Sequence, residues 1–157
     1  MSFVSKNEID KFRYDDCVIN EISMDKEDMS LEVEALIVRS DNSQNTNYTD
    51  SYADVTKIVF SRASVVMIIK EGYRRFDADD NLIEDVKDAV VEADKVNISD
   101  FAQQYLVGIS RDEDGKYSVE IEFADEDPTA LTDVYKLVIE AEDVTVTWDK
   151  YMNRVQG

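Results

Sequence analysis

From Met29 to Val38 the chain alternates. Leu31, Val33, Ala35 and Ile37 are apolar, and Glu32 and Glu34 stand between them. A period of two is the signature of a strand with one buried and one wetted face. Val119, Ile121 and Phe123 against Glu120 and Glu122 repeat the pattern in the second half of the chain. Read this way throughout, the chain predicts eight principal strands. "CVINEISM", "MSLEVEALIV", "VTKIVF" and "SVVMII" fall in the first half, and "YLVGISR", "YSVEIEF", "VYKLVI" and "VTVTW" in the second. The fourth strand of each set differs in kind. Val65 to Ile69 is apolar without a break, which predicts cover on both faces. Val144, Val146 and Trp148 alternate with Thr145 and Thr147, which predicts cover on one face only.

Turns and short helices separate these strands. "DEDGK" is a hairpin signal in which Gly115 is free to take a positive φ. "DADDN", residues 77 to 81, predicts the turn of a further hairpin beyond Tyr73 and Phe76. "ISDFAQQYL" predicts a short helix with Ser99 as N-cap, and "SKNEIDKF" its counterpart with Ser5 as cap and Glu8 three residues on. The third and fourth strands of each set are so close that only a short hairpin loop or a sharp bend fits between them. With one proline and four glycines, turns depend on Asp, Asn and Ser.

The two sets are copies of one pattern. Residues 53–72 laid over 132–151 without a gap give five identities in 20 positions, among them Asp54/Asp133, Lys57/Lys136 and Val65/Val144. "ISMDKEDMSLEVEA" from Ile22, laid over "ISRDEDGKYSVEIEF" from Ile109 with one gap, gives six identities in 14 pairs. Both blocks occur in the same order, which predicts a tandem duplication. The expected organisation is a single domain over 1–157, with repeat one at 12–72, a connecting hairpin at 73–98 and repeat two at 99–151. The expected fold is mainly β: an antiparallel sandwich or a pseudo-symmetric barrel built from two tandem four-stranded repeats, with one or two short helices.

Charge adds the next constraint. The chain of 157 residues carries 36 acids and 17 bases, a net of −19. Residues 1–78 hold 15 acids and 10 bases, while 79–157 hold 21 acids and only 7 bases. Such a field repels nucleic acid and anionic membrane surfaces, and it steers a basic partner inward at low salt. It also keeps a sheet-rich protein in solution. "MSFVSKNEID" has no apolar stretch of a secretion signal, and the single cysteine, Cys17, has no internal partner. Both fit a cytoplasmic setting.

Chemistry is mostly excluded. No histidine is present, which removes His-based triads and His metal sites. One cysteine cannot build a thiolate zinc site. No phosphate-binding glycine loop occurs. "DADDNLIEDVKD" places Asp77, Asp79 and Asn81 as in a calcium loop, but Leu82 stands where glycine is required and Asp88 where a bidentate Glu is required. No cofactor or metal is expected. Tyr105, Tyr117, Tyr135 and Trp148 fall on strands and read as core or cross-strand partners. The copies differ most at "SDNSQNTNYTDSY", residues 40 to 52, against the shorter "ADEDPTAL". Its Asn, Ser, Thr and Tyr are the palette of binding loops. Asn45, Asn47, Tyr48 and Tyr52 there, with the basic pair Arg74 and Arg75, are the candidate partner contacts. A solvated insertion and cross-strand salt bridges are the plain alternatives for the two groups.

"KFRYDDCVINEISMDKEDMSLEVEAL" resembles a phrase of small uncharacterised bacterial all-β proteins, some of them similar to immunity proteins of toxin–immunity pairs. "EGYRRFDADDNLIEDV" is similar to a segment of uncharacterised cytoplasmic proteins of Gram-positive gut bacteria. The resemblance implies a bacterial cytoplasmic setting and an acidic-inhibitor role, and it carries over no site residue. The expected function is a non-catalytic acidic protein that binds another protein, with a basic protein as the expected partner. The alternatives are an immunity-type inhibitor of a basic toxin, and an enzyme or small-ligand carrier working through carboxylates.

Overall fold

The alternating segments close onto one another as antiparallel hairpins in the computed structural model, which describes residues 2–92, 95–123 and 132–154. In chain order the strands are β1 (Phe3–Lys6), β2 (Phe12–Arg13), β3 (Val18–Asp25), β4 (Asp28–Glu34), β5 (Ile37–Val38), β6 (Ser51–Ala53), β7 (Thr56–Ser61) and β8 (Ser64–Lys70). They continue as β9 (Tyr73–Phe76), β10 (Leu82–Val86), β11 (Ala89–Val91), β12 (Tyr105–Arg111), β13 (Tyr117–Glu122), β14 (Val134–Glu140), β15 (Asp143–Trp148) and β16 (Tyr151–Arg154). The shorter loop of the second half, 124–131, lies outside the described residues.

One sheet has ten strands in the order β1-β15-β7-β4-β3-β12-β13-β14-β8-β11. It is open at β1 and β11, so the architecture is an all-β sandwich rather than a closed barrel. Two five-stranded halves meet at the centre, where β3 and β12 share a single residue pair, Val18 with Tyr105. The Phe60 ring of β7 in one half meets the Tyr117 ring of β13 in the other, edge to face at 5.6 Å. Between the halves the alternating apolar positions form one core: Ile19, Ile22, Leu31, Val33, Ile58 and Phe60 from one side, Leu106, Val119, Ile121, Leu137 and Ile139 from the other.

The strand order is two-fold. Exchanging β3 with β12, β4 with β13, β7 with β14, β8 with β15 and β1 with β11 returns the same sheet. At the centre Ile19 N donates to Gln104 O and Leu106 N donates to Cys17 O, both at 2.9 Å. On the spacing that sets Ile22 on Ile109, these two bonds are counterparts of each other. The unit of this relation has five strands, since β1 and β11 add an outer strand to each predicted set of four.

The fourth strands are exchanged between the halves. β7 does not pair with β8; it pairs with β15, while β8 pairs with β14. The short link after β7 is therefore the sharp bend and not a hairpin. Arg62 takes a φ of +50 there, and buried Ala63 follows. The link after β14, Ala141 and Glu142, makes the same crossing.

Several expectations need correction. The alternation of the second strand ends at Glu34. Ala35 takes a φ of +62, and Leu36, Ile37 and Val38 turn into a separate four-stranded sheet, β16-β6-β5-β2, all three buried. The short helices are 3-10 turns at Ile9–Lys11 and Ile98–Phe101. Asn97, not Ser99, caps the second, accepting from Ser99 N. Ser5 lies in β1 and caps nothing, though its hydroxyl does reach Glu8. The turns deliver Phe12 and Phe101 into the core. Tyr117 and Trp148 are buried and Tyr135 half-buried, but Tyr105 is exposed at the rim where β12 begins. Burial raises the Cys17 thiol to about 12, so it behaves as a small apolar group.

The largest departure concerns β8. Its apolar run is not covered on both faces: Val66 and Met67 are 44% and 42% exposed. The register explains it. Val65 pairs with Ile139 and Met67 with Val138, so Val66 is an extra residue in a bulge. β15 has no such bulge against β7. The gapless alignment of the halves fails after Val65, and Met67 and Ile69 take the places that Thr145 and Thr147 hold in the other half.

Candidate functional site

Two surfaces carry the residues singled out by the sequence. Asn45, Asn47, Tyr48 and Tyr52 belong to the loop between β5 and β6 and to β6 itself. Arg74 and Arg75 belong to β9. Among the described residues no hydrogen bond or ion pair joins the two groups, so the six do not form one site.

The loop is built by side chains that take the place of backbone partners. Asn45 Nδ2 donates to the carbonyls of Val38, Arg39 and Thr49 at 2.9–3.1 Å, and its Oδ1 accepts from Asn47 N at 2.8 Å. Asn47 Nδ2 donates to Ser51 Oγ at 3.2 Å. Asn42 is buried, donates to Ser5 Oγ at 3.2 Å and accepts from Gln44 N at 2.9 Å. Asp50 accepts from Ser40 N at 2.8 Å and from Arg13 Nη1 at 3.0 Å. Short polar side chains hold the turns that Gly and Pro would otherwise hold. Asn45 and Asn47 are thus scaffold rather than contacts. Tyr52 is half-buried and pairs with Ile37 across β6 and β5.

Tyr48 is what the scaffold displays. Its side chain is 95% exposed and its backbone takes a φ of +61. That left-handed conformation costs a non-glycine residue about 1–2 kcal/mol. The bonds around Asn45 and Asn47 hold it there.

Glu8 fastens the loop to the sheet. It accepts from Ser5 Oγ at 2.7 Å and from Ser43 N at 3.1 Å, and also from Ser43 Oγ. Burial opposes its ionisation, but the hydrogen bonds from Ser43 and Ser5 outweigh burial and hold its carboxyl below the usual range. A depressed carboxylate contributes stability that is fully present above its unfolded value and is lost as pH falls through the folded one. Thermal melts from pH 7 to pH 3 should therefore show stability falling in acid. Glu8→Gln should flatten that fall and lower stability at pH 7. An unchanged pH profile in the variant would remove Glu8 from this role.

The second surface is an arm. β8 and β11 pair at the sheet edge, and the chain between them rises as the hairpin β9–β10. Asp77 closes its tip by accepting from Asp79 N and Asn81 N, both at 2.9 Å. The carboxylate that matches the first position of a calcium loop thus closes a turn, the plain reading of this segment. Among the described residues no cluster of three or more His, Cys, Asp or Glu is placed to hold a metal. Arg75 Nη1 pairs with Glu84 at 3.1 Å, and Tyr73 donates to the same carboxylate at 2.7 Å. Arg74 faces Asp85 at 3.6 Å. The basic pair is therefore engaged in cross-strand ion pairs.

At the neck of the arm a groove of about 490 Å³ is lined by Gly72, Arg74 and Asp85 to Asp88, among others. Glu71 lies beside it. Burial and then the charge of Glu120 raise its carboxyl, and Lys136 at 3.9 Å offsets them in part. Nothing in this arrangement pairs an acid with a base across a reacting atom. The sequence also missed residues that matter here. Phe76, Leu82, Ile83 and Val90 are all more than half exposed. Alternation could not find them, because it reports which residues share a face and not whether that face is covered.

No helix among the described residues is long and apolar enough to cross a membrane. Compared with protein-family models, curated proteins and solved structures, the chain matches none.

Proposed function

We propose that this chain is a non-catalytic, acidic protein of the bacterial cytoplasm, an internally duplicated sandwich that works by binding a basic protein. The observation that carries the reading is Tyr48, held almost fully in solvent by a loop whose turns are fixed by Asn42, Asn45 and Asn47. A rigid loop presenting one aromatic loses little entropy on association. The net charge of −19 supplies steering toward a basic surface. An immunity-type inhibitor of a basic toxin is the narrower form of this proposal, and the identity of the captured protein separates the two. The two-fold strand order supports the duplication.

Affinity capture at low and at high salt tests it. The expected result is one basic protein retained at low salt and released as salt rises, with retention by Tyr48→Ala reduced about tenfold or more. Retention indifferent to salt, or equal for the variant, would count against the proposal.

A further inference from the structure

The arm and the edge of the sheet beneath it display more apolar surface than the other end of the sheet, where β1 exposes Val4. On the outer face of β8, Met67 and Ile69 stand where β15 carries Thr145 and Thr147. Ile69 pairs with Val90 of β11, which is 69% exposed, and Val66 projects from the bulge beside them. Above the neck, Phe76 pairs with Leu82 on one face of the hairpin, and the register shift between Leu82 and Glu84 adds exposed Ile83. Scattered apolar residues are ordinary on a protein surface. Here they lie together on the outer face of β8 and β11 and on the hairpin above, and β11 ends the sheet, so an extended segment can add there as a strand.

Charge selects the occupant. Residues 64–92 hold eight acids and four bases. Each base is already in an ion pair: Lys70 with Asp133, Arg74 with Asp85, Arg75 with Glu84 and Lys87 with Asp85. Asp79 and Asp80 at the tip carry no ion pair among the described residues. The surface is thus apolar with an uncompensated acidic rim. A second copy would bring like charge to like charge, whereas a basic segment with aliphatic side chains meets both features.

We infer that the outer face of β8 and β11, with the β9–β10 hairpin, is the docking surface for an extended basic segment of a partner protein whose alternate side chains are aliphatic. The inference rests on the proposed binding function and locates it on the arm as well as the loop.

The test uses the full chain labelled with ¹⁵N and two synthetic peptides of equal length and charge, one alternating Lys and Val, the other Lys and Ser. The Lys–Val peptide should bind about tenfold or more tighter than the Lys–Ser peptide, with amide shifts concentrated in residues 64–91. The double variant Met67→Thr, Ile69→Thr copies the side chains of β15, so it should fold as the parent does. It should lose about tenfold in affinity for the Lys–Val peptide. Phe76→Ser with Ile83→Ser should do the same from the hairpin. Equal affinity for the two peptides, or shifts centred on residues 40–52, would overturn the arm as the docking surface and leave the binding function standing. Binding of neither peptide would overturn both.

Discussion

Trp148→Ala should lower the stability of the chain by about 3–5 kcal/mol, the range for deleting a buried large aromatic. Trp148 is 1% exposed at the end of β15. It stacks on Phe3 of β1 at 5.6 Å, meets Phe12 edge-on at 6.0 Å, and meets Tyr151 of β16 at 5.9 Å. The ring therefore joins the outer edge of the ten-stranded sheet to β2 and β16, the two outer strands of the four-stranded sheet. Its removal leaves a cavity that rigid strands on every side cannot close. For a domain of this size the melting temperature should fall by roughly 10 °C or more. Trp148→Phe is the control. Phe keeps most of the apolar contact with Phe3, Phe12 and Tyr151, so its cost should be well below that of Ala. Equal melting temperatures for Ala and the parent would show that this junction does not hold the two sheets together.

Gly72→Ala should detach the arm. A Cβ at residue 72 would lie 2.0 Å from Val86 O, 2.6 Å from Lys87 C and 2.8 Å from Asp88 N. All three are backbone atoms, so no side-chain rotation relieves the clash. The neck must open, and the bond from Gly72 N to Asp88 Oδ1 at 2.6 Å must lengthen or break. Forcing a group into such a site costs about 1–3 kcal/mol. The loss should be local, because most of the hairpin is exposed and little of the core depends on it. Hydrogen exchange should show protection lost across residues 73–91 and kept in β3, β4, β12 and β13. On the docking inference the same variant should also weaken the Lys–Val peptide. Unchanged protection in the arm would mean that the neck can widen without cost.

The two largest effects thus fall on residues that the sequence treats very differently. Trp148 was legible as core from its place in an alternating strand. Gly72 was not legible at all, since nothing nearby in the chain says that Val86 will cross in front of it. The loop shows the same division. Its length and its Asn-rich composition pointed to Tyr48. Only the fold shows that Asn45 and Asn47 build the loop, while Ser5 and Glu8, far away in sequence, anchor it through Asn42 and Ser43.

What the sequence by itself determined is local and periodic. Alternation and apolar runs specified the eight principal strands but not the short strands β1, β2, β6, β11 and β16, and Gly115, at a φ of +82, was foreseen at the β12–β13 turn. The repeated spacing anticipated that the two halves would be laid out alike. These follow from chain geometry within a few residues. The tertiary structure decided which strands are neighbours. The fourth strands cross between halves, Ala35 turns the second strand into another sheet, and one bulge at Val66 moves Met67 and Ile69 to the outer face and Ile68 into the core. Each depends on pairing between residues far apart in the chain, and in a sheet a slip of one residue reverses every face beyond it. That is why an unbroken apolar run, which reads as a strand buried on both faces, instead leaves Val66 and Met67 exposed beneath the arm.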